Sequence, residues 1–91
     1  GSLGCSLFRG HEEAVICLAA SDDGELMVSG SRDNTARLWR VKDGSCTAVI
    51  SGHTGIVSAV AITRVPGSTD LLVATASSDL TIKAWRVTSS K

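Results

Sequence analysis

Ser29, His11 and Asp33 are the residue types of a hydrolase triad, and Thr75, His53 and Asp79 supply a second set later in the chain. A nucleophilic serine has to be exposed on a strained turn beside an oxyanion hole. Ser29 lies instead inside the apolar run "LMVSGS", and no G-x-S-x-G is present. Metal chemistry finds as little support. "HEEAV" lacks the second histidine of a zinc-protease helix, and neither His11 nor His53 has ligands at metal spacing. No G-x-G-x-x-G or Walker loop is available to cradle a phosphate. The cysteines, Cys5, Cys17 and Cys46, are odd in number and form no C-x-x-C pair, which fits neither a disulfide framework nor a zinc site. They read as small core or strand-edge residues in a reducing, cytoplasmic setting. The expectation is a protein that is not an enzyme, with no cofactor and no metal.

The elements that position these residues must come from a short chain. Its 91 residues carry 9 Lys+Arg against 9 Asp+Glu, a formal net charge of zero. Without a basic field, nucleic acid is not an expected partner. Apolar runs of four to seven residues are too short for a membrane helix of about 20, so no membrane partner is expected either. A single domain of this size buries only about 60–65% of its unfolded surface, which makes help from another copy a natural expectation.

Self-comparison shows two repeats. Gly10-His11 recurs as Gly52-His53, 42 residues on, and "SGSRDNTARLWRV" (29–41) aligns with "TASSDLTIKAWRV" (75–87) at an offset of 46. Ser31, Asp33, Thr35, Trp39, Arg40 and Val41 are identical in both copies, and the four extra residues fall around "TRVPGSTD". Short runs rich in Val, Ile and Leu between Gly, Asp, Asn and Ser predict strands at 15–20, 26–31, 36–41, 46–51, 57–63, 71–77 and 82–87. Asp23-Gly24 and Asp43-Gly44 suit tight hairpins. A further strand is expected over Cys5–Arg9, because Leu7 and Phe8 match Val49 and Ile50 at the same offset of 42.

A Gly-His pair, two strands, Ser-x-Ser-x-Asp and a Trp closing the third strand together resemble the WD-repeat β-propeller family, twice in register. The resemblance runs from Cys5 to Val87. It departs from the family pattern where Arg40 and Arg86 follow the tryptophans in place of Asp, at a position that is variable in the family. It implies an all-β fold of two four-stranded antiparallel blades. Residue by residue, it also implies two structural tetrads: His11, Ser29, Asp33 and Trp39, then His53, Thr75, Asp79 and Trp85. The types make chemical sense, since a buried indole N–H needs an acceptor, a hydroxyl can provide one, and that hydroxyl can donate to an imidazole held by a carboxylate. Ser31 and Ser77 point to the same strand faces and are alternatives for the hydroxyl.

Two blades do not make a closed propeller. The expected organisation is a tag remnant at 1–2, an outer strand at 3–10 that completes a blade of a neighbouring chain, a first blade at 11–51, and a second blade at 52–91 lacking its own outer strand. Head-to-tail strand exchange would close a ring of copies, with Cys5, Leu7 and Phe8 meeting Ile82, Ala84 and Trp85 of the next chain. Four chains, giving eight blades, are favoured over three, giving six. The family's contact positions map to Ala14, Ile16 and Arg32 in the first blade and to Ile56, Ser58 and Ser78 in the second, implying a scaffold for a peptide or protein partner. The alternative is a purely structural repeat unit, a fragment or engineered propeller piece, with no selected ligand.

Overall fold

A computed structural model describes residues 7–88. Seven strands run in chain order: β1 (Val15–Ala20), β2 (Leu26–Ser31), β3 (Ala36–Arg40), β4 (Cys46–Ile50), β5 (Val57–Arg64), β6 (Leu71–Ser77) and β7 (Ile82–Val87). They form two antiparallel meanders, β1-β2-β3-β4 and β5-β6-β7. The predicted strand positions agree with these to within a residue at each end.

Turn chemistry sets the hairpins. Gly24, Gly44 and Gly67 take φ of 75°, 73° and 75°, a region that costs glycine nothing. The Asp23 carboxylate accepts from the Glu25 N–H and the Ser21 hydroxyl, and Asp43 does the same for the Ser45 N–H and hydroxyl. Asn34 and Leu80 occupy corresponding points of the β2–β3 and β6–β7 turns, at φ 72° and 71°.

Register gives each sheet two distinct faces. One carries the tryptophan: Met27 pairs with Trp39 and Leu18 with Ser29 in the first sheet, while Val73 pairs with Trp85 and Val60 with Thr75 in the second. The far face of the first sheet carries Cys17, Val28, Gly30, Ala36 and Leu38, and it lies against the tryptophan face of the second. Val28, Ala36, Leu38, Ile50, Val57 and Val73 form the buried core there, with Leu26, Val60, Ile62 and Val87 packed around it. The backbones approach closely at Gly30, where a Cβ would stand 2.6 Å from the Cys17 Sγ and 2.7 Å from a Val57 methyl. On the rim, the Arg64 guanidinium reaches Asp22 at 3.0 Å and Asp23 at 3.4 Å in the β1–β2 turn, tying the sheets together.

The expected strand over 5–9 differs from what is observed. Cys5 lies outside the described residues, and Leu7, Phe8 and Arg9 are not in a strand. Phe8 instead sets its ring edge-on to Trp39, at 5.7 Å between centroids and 77° between planes. Among the described residues no strand pairs with Leu7, Phe8 or Arg9, so their backbone has no ladder to join; the Phe8 ring rests on Trp39 and the Leu7 carbonyl lies beside Gly44.

Candidate functional site

The first cluster begins at Trp39, which is 2% exposed on β3. Its Nε1–H donates to the Ser29 Oγ on β2 at 2.7 Å. The Ser29 hydroxyl donates to the His11 Nε2 at 2.6 Å, and the His11 Nδ1–H donates to the Asp33 Oδ2 at 3.0 Å. Every polar atom along this line has a partner, and the bonding assigns the proton of a neutral imidazole to Nδ1. Asp33 also accepts from the Glu12 and Thr35 backbone N–H groups and from the Thr35 hydroxyl. Burial opposes its ionisation, but the hydrogen bonds from Thr35, His11 and Glu12 outweigh that and hold the carboxyl well below the usual carboxylate range. The cluster thereby clamps the segment before β1 onto the β2–β3 turn.

The second cluster repeats most of this. The Thr75 hydroxyl donates to the His53 Nε2 at 2.8 Å, and the His53 Nδ1–H donates to the Asp79 Oδ2 at 3.2 Å. The Thr81 hydroxyl is the largest influence lowering the Asp79 carboxyl, followed by the Thr54 N–H, with burial opposing and His53 assisting. Trp85 is the exception among the expected members. Among the described residues its indole makes no hydrogen bond to Thr75, and it is 38% exposed. The cause lies in its flank: β4 pairs beside Trp39, whereas no described strand pairs on the outer side of β7.

Ser31 and Ser77 serve elsewhere, their hydroxyls accepting from the Asp33 and Asp79 N–H groups. The Thr35 and Thr81 hydroxyls on the carboxylates add a fifth member to each cluster beyond the tetrads that the resemblance implies, and Thr35 is one of the six residues identical between the repeats. Arg37 has a buried Nε without a partner among the described residues, because it lies on the tryptophan face near Gly10.

The connectivity Asp–His–Ser is that of a triad, yet Ser29 is 3% exposed and already accepts from an indole. A nucleophilic serine needs to be open to its substrate, and Ser29 is buried. Among the described residues no three His, Cys, Asp or Glu side chains converge as metal ligands, and Cys17 and Cys46 are free thiols.

The expected partner face gathers at one end of the two sheets. The Arg32 N–H donates to the Ala14 carbonyl and the Ser78 N–H to the Ile56 carbonyl, both at 3.0 Å. Ile16 and Ser58 sit at matching bulges of β1 and β5, which turn them away from the regular alternation. Ala14, Ile16, Arg32, Ser58 and Ser78 are exposed, and Ile56 is half-buried.

Two stacked antiparallel sheets with duplicated hydroxyl–His–Asp clusters define a repeat protein built of propeller-type blades. The sequence matches the family described as "WD domain, G-beta repeat" over residues 3–40 and 44–86. The chain belongs to the WD-repeat family. It is 38% identical over 89 residues to U3 small nucleolar RNA-associated protein 13 of Saccharomyces cerevisiae, covering 91% of this chain and 11% of that protein. It is 40% identical over 67 residues to WD repeat-containing protein 18 of Danio rerio, covering 74% and 15% respectively, and 36% identical over 85 residues to Denticleless protein homolog A of Xenopus laevis, covering 90% and 12%. The chain therefore spans 11% to 15% of the length of these curated relatives. The crystal structure of the computationally designed Ika4 protein superposes with a TM-score of 0.71 at 26% identity, over 93% of this chain and 49% of that one.

Proposed function

We propose that the chain is a non-catalytic interaction scaffold whose two blades complete a closed ring with copies of themselves, four chains in preference to three. The observation that carries the reading is the contrast between equivalent tryptophans: Trp39 is 2% exposed and Trp85 38%. A strand added along β7 would cover Trp85 as β4 flanks Trp39, and the 3–10 segment of another copy is the strand this reading supplies. Phe8 supports it, since it already lies on Trp39 at the repeat position that Ile50 occupies in the core. The rigid end formed by Ala14, Ile16, Arg32, Ile56, Ser58 and Ser78 presents apolar and small side chains with one guanidinium, suited to an apolar peptide bearing an acidic group.

Light scattering behind size exclusion tests the assembly. A mass near four or three times 9.4 kDa is the expected result, and a monomer across the accessible concentration range refutes self-closure. A closed ring that retains no peptide from a library on this end would leave the purely structural reading in place of the scaffold.

A further inference from the structure

A strand at the edge of a sheet presents unpaired backbone groups that another strand can meet. Of the edges here, β1 and β5 lie against each other, and the outer side of β7 is the one that the ring reading fills. The outer side of β4, at the far end of the order β1-β2-β3-β4, takes no part in that closure, and among the described residues no strand pairs with it. What it offers follows from the ladder. The Ser31 N–H donates to the Thr35 carbonyl and the Val41 N–H to the Glu25 carbonyl, so Thr35, Arg37, Trp39 and Val41 bond toward β2. By alternation Ala36, Leu38 and Arg40 bond toward β4, as the Arg40 N–H does to the Ser45 carbonyl at 2.8 Å. Val49 lies opposite Arg37, so its own N–H and C=O point outward.

Nothing guards this edge. Lysine, proline or an inward charge blunts most natural edges, yet residues 44–63 contain no Asp, Glu, Lys, Arg or Pro, the longest such stretch in the chain. The one irregularity is a register shift at Thr47, which lies before Val49. Cys46, Thr47, Ala48 and Ser51 are exposed, and Val49 is 50% exposed. The strand also complements itself. Laid antiparallel about a two-fold through Val49, it sets Val49 on Val49 of the partner copy, where the outward N–H and C=O groups meet reciprocally. Ala48 then faces Ile50, and Thr47 faces Ser51. β-branched and Thr–Ser pairs are favourable across strands, and no charge meets its like. We propose that β4 is an interaction edge whose occupant is β4 of a second copy in this register. Such a contact uses one patch on both chains and closes at two, unlike a head-to-tail ring contact, so in a ring it would join one ring to another at the rim.

Disulfide trapping on the full chain tests this, in a Cys5→Ser, Cys46→Ser background with oxidised glutathione as oxidant. Directly opposed residues of a hydrogen-bonded pair stand about 5.5 Å apart between Cα atoms, within the range of about 4.4–6.8 Å that a disulfide spans. Val49→Cys is therefore expected to give a symmetric 49–49 cross-link, identified by peptide mass spectrometry, at least about tenfold faster than Ala48→Cys, which is exposed but faces Ile50 in this register. Adding Ser51→Lys, a charge on the edge, is expected to remove that preference. Equal rates at 48 and 49 overturn the pairing, and so does a 49–49 link that Ser51→Lys leaves unchanged, since thiol reactivity alone would explain it. The cross-link reads β4 apart from the ring. Fast 49–49 linkage without a three- or four-chain species in light scattering refutes the ring and keeps this contact, whereas a closed ring without the preferred linkage does the reverse.

Discussion

Replacing Ser29 by alanine removes one oxygen and strands two groups. The Trp39 N–H loses its acceptor in a residue 2% exposed, and the His11 Nε2 loses its donor beside it. An unsatisfied buried donor or acceptor costs about 1–3 kcal/mol, so the pair is expected to cost about 2–4 kcal/mol. For a chain of this length total stability is on the order of 5–14 kcal/mol, and such a loss is readily measured. In the second blade Thr75→Ala strands only the His53 Nε2, because Trp85 does not bond Thr75, and the expected cost falls to about 1–2 kcal/mol. Ser29→Thr keeps the hydroxyl and separates hydrogen bonding from packing. Urea unfolding is followed by Trp39 fluorescence in a Trp85→Phe background, at one fixed chain concentration because association shifts apparent stability. A Ser29→Ala cost equal to that of Ser29→Thr, or below about 0.5 kcal/mol, refutes the hydrogen-bonding account of the cluster.

Three further outcomes follow from the same geometry. Asp33 and Asp79 are held below the ordinary carboxylate range in the folded state, so the stability they supply is present above the unfolded aspartate value of about 3.9 and lost as pH falls through the folded one; the unfolding free energy is expected to drop between pH 5 and 3, and less steeply in Asp33→Asn. Gly30→Ala forces a Cβ against Cys17 and Val57 and is expected to cost about 1–3 kcal/mol, with Cys17→Ala recovering part of it; no recovery in urea titrations of the double variant would locate the crowding at Val57 alone. Leu80 is 95% exposed at φ 71°, so Leu80→Asn, the residue used at the equivalent position 34, is expected to raise stability by about 1 kcal/mol in a thermal or urea melt.

What was legible in the sequence was whatever local chemistry forces. A buried indole, a hydroxyl, an imidazole and a carboxylate at repeated spacing can satisfy one another in few ways, and Ser29, His11, Asp33 and Trp39 are found joined as that chemistry requires. Strand limits were legible because alternating β-branched runs between Asp-Gly turns encode them over a few residues. What was not legible depends on how distant segments lie together. The Arg64 bridge to Asp22 is set by which sheet lies beside which, and the Phe8 ring on Trp39 and the buried Arg37 Nε by how the segment before β1 folds over the first sheet. Local patterning carries no record of that.

Trp85 is where this distinction can be measured. The second blade repeats the cluster types of the first, yet its indole is without the hydroxyl bond and its flank is open, so identical chemistry is expected to be worth less there in a single chain. Covering the flank changes that arithmetic, because removing water from the indole N–H makes an acceptor necessary. If copies close on one another, Trp85 should turn toward Thr75 and, with Trp85 retained and urea unfolding followed by circular dichroism over a range of chain concentrations, the cost of Thr75→Ala should rise toward that of Ser29→Ala, while the Ser29→Ala cost stays level. Equal and concentration-independent costs at both sites would instead mean that the two clusters are already alike in the isolated chain, and that the exposed tryptophan plays no part in assembly.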